Sequence, residues 1–214
     1  AWRSSTSASA AFRWARSNAQ SRSGGLASPL RKTKNMTAMR SAPTIETERL
    51  ILRAWRKDDF RPYLAIVGDE EVMRHVGGKG LGEEEGWRRL AASVGMWGLL
   101  GFGGWAVVRK PDEKLVGMVS LFNAWRALEP EFGEEPEMGW IFATETHGKG
   151  MAGEACRAAL DWAQANLDPT PIWAIIAPDN APSLRLAGKL GFAALQQSIY
   201  HEEPTIVLRR PAWA

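Results

Sequence analysis

One stretch decides the fold of this chain: residues 147–154, which read HGKGMAGE. It follows an apolar run with strand character at 138–143 and precedes an Ala-rich run with helical spacing at 152–167. Three glycines here leave several backbone N–H groups free to converge where a helix begins, and the helix dipole adds positive potential at that end. The stretch therefore predicts an anion site at a strand–loop–helix junction, best suited to a pyrophosphate.

Strand and helix patterns on either side of this loop predict a sheet with helices packed on it. Apolar runs indicate strands at 45–55, 104–110, 115–122, 137–143, 172–177, 193–199 and 204–209. Helical spacing with caps and stop signals indicates helices at 57–68, 69–76, 83–100, 152–167 and 180–190. The run at 172–177 is apolar throughout, which predicts a buried strand parallel to its predecessor. We expect an α/β domain of the α+β kind, with a mixed, mostly antiparallel sheet of six or seven strands.

Residues 1–38 differ in composition from the rest of the chain. They hold seven Lys and Arg, many Ser and Ala, and neither Asp nor Glu. This composition is typical of a transit peptide, of read-through from an upstream region or of an unstructured tail. We favour the tail, because Met36 and Met39 lie just before the first segment with a folded pattern. We therefore predict a disordered or non-native basic tail over 1–38 and a single domain over 39–214.

Charge and residue usage exclude several classes of function. Removing the seven cations of the tail from the formal net charge of +3 leaves −4 for residues 39–214, where Lys and Arg alternate with Asp and Glu. Such a surface lacks the basic stripe that nucleic acids require. Cys156 is the single cysteine, which excludes an intrachain disulfide framework, and the three histidines lack metal-ligand spacing.

These exclusions limit the partners that we expect. No run of the sequence approaches the roughly 18–20 apolar residues that a spanning helix needs. We predict no metal, no nucleic acid and no membrane as partners, a monomer or homodimer, and a cytoplasmic location.

The glycines also satisfy a dinucleotide-binding pattern. Gly148, Gly150 and Gly153 have the spacing G-x-G-x-x-G, and Asp179 follows at a plausible distance. This pattern makes an NAD(P)-binding oxidoreductase an alternative. We rank it lower, because residues 144–147 insert a loop where a Rossmann turn is tight, and too few residues follow to complete a parallel nucleotide-binding sheet.

Three motifs in order resemble one enzyme family. Residues 148–155 read GKGMAGEA, residues 47–53 read TERLILR, and residues 189–192 read KLGF. Together they are similar to the GNAT N-acetyltransferases, in particular the branch that acetylates the N-termini of ribosomal proteins. Gly150 and Ala152 fit the family's pyrophosphate loop, Q/R-x-x-G-x-G/A, with His147 where Gln or Arg is usual. The resemblance covers about residues 44–210 and implies acetyl-CoA as co-substrate, bound where the sheet splits between its two central parallel strands.

The resemblance also implies which residues contact the cofactor. They lie at the end of a strand, in the glycine loop and at the next helix start: Ile141, Phe142, Ala143, His147, Gly148, Lys149, Gly150, Met151, Ala152, Gly153, Asn180 and Ser183. Backbone N–H groups near Ile141 and Phe142 would polarise the acetyl carbonyl. Asn180 would hold the pantetheine amide.

Amine acetylation needs a neutral nucleophile and a proton for the departing thiolate. Glu137 is our first candidate base, acting through water, and Glu202 is the second; water alone is a third possibility. Ser183 is the candidate acid, because Ala187 stands where many members of the family have a tyrosine. Each carboxylate has an ordinary alternative as a solvated or salt-bridged group, and Asn180 and Ser183 have one as helix caps.

The combined prediction is an N-acetyltransferase that transfers an acetyl group directly within a ternary complex. An α-amine, with a pKa of about 7.7–8.0, needs less help from a base than a lysine near 10.4. The acceptor is therefore a protein N-terminus or a small-molecule amine. Cys156 lies among alanines at helical spacing, which predicts a buried residue and not a nucleophile. A catalytically inactive CoA-binding sensor is a further alternative.

Overall fold

The structure, a computed structural model, describes residues 41–213, so the predicted tail over 1–38 lies outside the described residues. The strands are β1 (Ile45–Glu46), β2 (Leu50–Arg53), β3 (Gly104–Arg109), β4 (Lys114–Phe122), β5 (Glu137–Phe142), β6 (Ile172–Ile176), β7 (Ala193–Tyr200) and β8 (Glu203–Arg210). The α-helices are α1 (Phe60–Val67), α2 (Glu70–Met73), α3 (Glu83–Leu100), α4 (Met151–Asn166) and α5 (Ala181–Lys189).

These strands form one sheet in the order β1-β2-β3-β4-β5-β6-β8-β7. All neighbouring pairs are antiparallel except β5 and β6, which are parallel. This confirms the predicted class and the mixed, mostly antiparallel sheet. None of the helices in residues 41–213 combines the length and apolar character needed to cross a membrane.

The sheet has eight strands where the sequence pattern predicts six or seven. The first predicted strand breaks at Thr47, whose N–H donates to Leu50 O at 2.9 Å. Leu50 N donates in return to the Thr47 hydroxyl at 3.0 Å, and β1 folds back antiparallel onto β2. A threonine hydroxyl that bonds to nearby backbone competes with the extended strand, and periodicity alone does not reveal such a turn.

Two apolar layers cover the faces of the sheet. Helix α4 packs on one face through small residues, with Ala155, Cys156 and Ala159 fully buried. On the other face, α1 and α3 cover a second cluster that includes Tyr63 and Leu90. Burial raises the pKa of the Cys156 thiol far above its ordinary value. The structure thus confirms the predicted burial of Cys156, and its thiol stays protonated inside the core.

The two parallel strands touch at one end only. β5 and β6 pair through Glu137 and Trp173, and Trp173 N donates to Pro136 O at 2.9 Å. No further pairing joins these strands in the described part of the chain, so they diverge toward their carboxyl ends. The fold thus creates a gap that is closed at Glu137 and open toward the loops that lead into α4 and α5.

Candidate active site

The backbone of β5 presents unpaired groups to this gap. Ala143 N donates to Val116 O at 2.9 Å, so the N–H groups of alternate residues, including Ile141, point toward β4. The N–H groups of Trp140 and Phe142 point the other way, into the gap. Of the two donors predicted here, the Ile141 N–H therefore faces β4, whereas the Phe142 N–H faces the gap. That Ile141, Phe142 and Ala143 contact the cofactor stays a prediction. Sequence reasoning missed Trp140, whose N–H also faces the gap.

The glycine loop, where the sequence predicts an anion site, lies at the open end of the gap. Gly148 and Gly150 have φ angles of +72° and +77°, a left-handed conformation that favours glycine. Gly150 caps α4, and the first helical bond runs from Glu154 N to Gly150 O at 3.1 Å. Several backbone N–H groups here donate to no atom within residues 41–213: those of Gly148, Gly150, Met151, Ala152 and Gly153.

The side chains of the glycine loop offer fewer free groups to a ligand than its backbone does. His147 turns back toward β5, and its Nε2 donates to Phe142 O at 3.1 Å. Its own N–H donates to Thr144 O, and that of Lys149 donates to Thr146 O. The Met151 side chain is buried in the core, which leaves only its N–H for a ligand. The cradle therefore consists of backbone donors, with the Lys149 ammonium exposed beside them.

Glu154, in the first turn of α4, connects two motifs that are far apart in the sequence. Glu154 Oε1 accepts from the Thr47 hydroxyl at 2.6 Å and from Arg49 N at 2.9 Å. Glu154 Oε2 accepts from Arg49 Nε at 2.7 Å, and Arg49 Nη1 also donates to Lys149 O at 2.9 Å. Burial works to raise the pKa of Glu154, but the hydrogen bonds from Thr47 and Arg49 hold it below its ordinary value. Through Arg49, the charged Glu154 carboxylate thus holds the glycine loop in place.

The second helix start beside the gap belongs to α5. Asn180 Oδ1 accepts from Ser183 N at 3.1 Å, so Asn180 serves as the helix cap that its residue type favours. The Ser183 hydroxyl is half-buried and bonds to no other group in residues 41–213. Asp179 Oδ1 lies 3.1 Å from His75 Nδ1 and links this turn to the segment after α2.

Glu137 lies at the closed end of the gap, and its side chain is only 4% exposed. Both of its oxygens accept from Arg126, at 2.6 Å from Nε and 2.8 Å from Nη2. Burial raises the pKa of Glu137, and the Arg126 guanidinium opposes that rise without cancelling it. Glu137 is therefore a salt-bridged carboxylate, and its role as the base stays a prediction; sequence reasoning missed its partner, Arg126.

A cavity of about 200 Å³ lies against this ion pair. Its walls come from the segment between β4 and β5 and from the first residue of β5: Asn123, Ala124, Trp125, Arg126, Glu131, Phe132, Gly133, Glu135 and Glu137. Glu202 does not line it; this residue is exposed in the two-residue turn between β7 and β8, where His201 and Glu202 have φ angles of +51° and +67°. The described residues contain no group of three or more His, Cys, Asp or Glu that could hold a metal ion.

The sheet geometry does not match the dinucleotide interpretation of the glycines. In a nucleotide-binding α/β sheet the strand before the glycine loop has parallel neighbours. Here β5 has an antiparallel neighbour, β4, along its whole length, and β6 has another, β8. Asp179 is also already engaged with His75.

Comparison with known proteins agrees with this geometry. A Bacillus subtilis protein named "Uncharacterized N-acetyltransferase YnaD" is 26% identical over 148 residues, which is 69% of this chain and 81% of that protein. The crystal structure of an acetyltransferase from Agrobacterium tumefaciens is 26% identical with a TM-score of 0.66, and the match covers 79% of this chain and 94% of that one.

A more distant structure shows the same fold with a ligand. RimL, the ribosomal L7/L12 α-N-protein acetyltransferase in complex with coenzyme A, is 13% identical with a TM-score of 0.63, over 79% of this chain and 98% of that one. The acetyltransferase (GNAT) domain family matches residues 49–193. The chain therefore belongs to the GNAT family of acetyltransferases, as its three motifs predicted.

Proposed function

We propose that this protein transfers the acetyl group of acetyl-CoA directly to a primary amine, either a protein N-terminal α-amine or a small-molecule amine, within a ternary complex. The observation that carries the proposal is the gap between β5 and β6, with free backbone donors at its open end and a buried carboxylate at its closed end. A reducing compartment suits the free Cys156 thiol, and we infer that the protein acts in the cytoplasm.

The residues at the open end fit the pyrophosphate of acetyl-CoA. Left-handed Gly148 and Gly150 and the first turn of α4 offer unbonded N–H groups to an anion, where the helix dipole adds attraction. Unpaired backbone groups along β5 and β6 would bond to the amides of the pantetheine arm, as a strand edge bonds to an extended chain. When bound there, acetyl-CoA supplies a thioester whose acetyl group is the one transferred.

Residues near the closed end would act on the reacting atoms. The Trp140 N–H points into the gap and would donate to the acetyl oxygen as negative charge develops there. Glu137 would take a proton from the incoming amine, directly or through water. Ser183 would donate a proton to the departing thiolate, although a thiol with a pKa near 8.5 also leaves without such help. We retain Glu202 only as an alternative base, because it lies in an exposed turn outside the cavity.

Thermal unfolding of the full chain with acetyl-CoA, desulfo-CoA or NADH tests the cofactor. Ligand at about 100 times its dissociation constant adds about 2.7 kcal/mol to the free energy of unfolding. We expect both CoA compounds to raise the melting temperature and NADH to leave it unchanged. Stabilisation by NADH alone would overturn the proposal.

Acetylation of a panel of amines, followed by mass spectrometry, separates an enzyme from an inactive CoA-binding sensor. The panel should hold peptides with free N-termini together with small primary amines. An increase of 42 mass units on at least one acceptor supports the enzyme. Tight acetyl-CoA binding with no transfer to any acceptor would favour the sensor.

A further inference from the structure

We propose that the acceptor is a cationic amine whose ammonium group enters the cavity beside β5 and displaces Arg126 from Glu137. The proposal rests on the acetyltransferase function above and deepens it, because it names the charge class of the acceptor. Arg126 is then a positioning residue that occupies Glu137 until the acceptor arrives.

The loop between β4 and β5 holds the walls of the cavity in place through its own contacts. Asn123 is 8% exposed, and its side chain bonds to both arms of the loop. Its Nδ2 donates to Gly133 O at 2.6 Å, and its Oδ1 accepts from Trp125 N at 3.0 Å. Phe132 stacks on Trp173 with ring centroids 4.5 Å apart and planes 8° apart. These contacts join the loop to the strand at the closed end of the gap.

The charge of the lining favours a cation. Arg126 is the only cationic side chain among the cavity-lining residues, which include three carboxylates: Glu131, Glu135 and Glu137. Arg126 pairs with Glu137, and within residues 41–213 neither Glu131 nor Glu135 has a cationic partner within 4.0 Å. Glu135 accepts only the neutral Trp173 Nε1–H, at 2.6 Å. The cavity therefore carries unbalanced negative charge next to a buried carboxylate, and it attracts ammonium groups.

Arg126 makes a second favourable contact while it is bonded to Glu137. Its guanidinium carbon lies 4.7 Å from the centroid of the Tyr200 ring. A guanidinium that leaves Glu137 keeps this cation–π contact and the attraction of the cavity carboxylates. An ammonium group that replaces it also leaves Glu137 with a cationic partner, so the exchange does not strand a buried charge.

Once the acceptor has replaced Arg126 beside Glu137, its amine can be deprotonated and acetylated. The acceptor enters as an ammonium ion and gives one proton to Glu137, which passes it to solvent. The neutral nitrogen then forms a bond to the acetyl carbon, and the bond between that carbon and sulfur breaks. The second nitrogen proton goes to the thiolate, so the products are the N-acetyl amine, coenzyme A and one released proton.

Calorimetric binding to the full chain with desulfo-CoA tests the charge preference without any transfer. The probes are phenethylamine, which is cationic at neutral pH, and 2-phenylethanol, its neutral analogue. We expect the amine to bind at least about 10-fold more tightly. Glu131→Gln and Glu135→Gln should each reduce that preference several-fold, whereas Glu134→Gln, on the same loop but outside the cavity lining, should leave it unchanged.

The pH profile of acetylation tests the role of Arg126. Without the guanidinium, the pKa of the buried Glu137 rises further, so activity in Arg126→Met should be lost at a higher pH on the acid side than in the parent protein. Arg126→Lys should restore most of the parent profile. Equal binding of the two probes, or an acid limb that does not move in Arg126→Met, overturns the proposal. Preferred binding of the amine with no transfer would instead count against the acetyltransferase function alone.

Discussion

Glu154 and Glu137 are two glutamates paired with arginine at opposite ends of the same gap, and their environments differ. Glu154, beside the glycine loop, accepts bonds from Thr47 and Arg49 that hold its pKa below the ordinary value. Glu137, at the closed end of the gap, is more deeply buried, and its pKa is raised although both of its oxygens accept hydrogen bonds from Arg126. The balance between hydrogen bonding and desolvation sets the direction of each shift. Glu154 is thereby suited to a structural role and Glu137 to proton transfer.

The largest effect is expected from removing Glu137, the carboxylate whose pKa is raised. Glu137→Gln should lower kcat by about 10²- to 10⁴-fold, the usual contribution of a general base, with little change in the dissociation constant of acetyl-CoA. Glu154→Gln should do the opposite and weaken acetyl-CoA binding more than it lowers kcat. Steady-state kinetics with varied acetyl-CoA measures both. An unchanged kcat in Glu137→Gln would contradict the difference in role between the two glutamates and would point to Glu202 or water as the base.

The next effect concerns stability at the closed end of the gap. Arg126→Met leaves the buried Glu137 without its cation, a change that costs about 3–5 kcal/mol. Replacing both partners, Arg126→Met with Glu137→Met, should recover much of that loss. The cost should shrink on acidification, starting above the ordinary pKa range of glutamate, because protonated Glu137 no longer needs the cation. Denaturant unfolding at several pH values measures this; a double variant less stable than Arg126→Met would contradict it.

Glu154 should show a smaller effect in a lower pH window. Its charge-assisted bonds contribute on the order of 1–2 kcal/mol, and Glu154→Gln forfeits part of that. Since the folded-state pKa is lowered, this stability is present at neutral pH and is lost only as pH falls below the ordinary glutamate range. Thermal unfolding of parent and variant between pH 7 and pH 3 should show the difference closing at the acid end. A difference that closes above pH 5 would make the two glutamates alike.

The smallest effect is expected at Ser183, which is neither deeply buried nor charged. Ser183→Ala should lower kcat by only about 2- to 10-fold, because a thiolate with a pKa near 8.5 leaves without much assistance. The affinity for acetyl-CoA should stay the same. Asn180→Ala is the matched comparison, since it removes the helix cap and should reduce stability by about 1 kcal/mol. Unchanged turnover in Ser183→Ala would end its assignment as the acid.

Local patterns in the sequence predicted the elements well where caps and glycines mark the ends. Helix α3 runs from Glu83 to Leu100 as its periodicity indicates, and Gly101 ends it with φ +74°. Gly150 and the start of α4 follow from the same kind of signal. The break between β1 and β2 was missed, because it depends on the Thr47 hydroxyl and on where Glu154 comes to lie.

Long-range pairing explains most of what sequence reasoning missed at the site. Thr47 and Arg49 stand more than 100 residues from Glu154, and both motifs were visible, but nothing in either indicated that they contact each other. Arg126 lies in a loop without regular structure, so no periodicity points its side chain at Glu137. Which N–H groups of β5 face the gap could not be predicted from the sequence, because strand alternation depends on which bonds β4 takes.

The sequence by itself determined the class of the fold, the glycine cradle and the family, because these depend on residue types at fixed local spacing. A left-handed glycine before a helix offers free N–H groups wherever the chain places it. The tertiary structure decided which carboxylate is held charged and which is buried with a raised pKa, because desolvation and ion pairing come from segments that meet only in the folded chain.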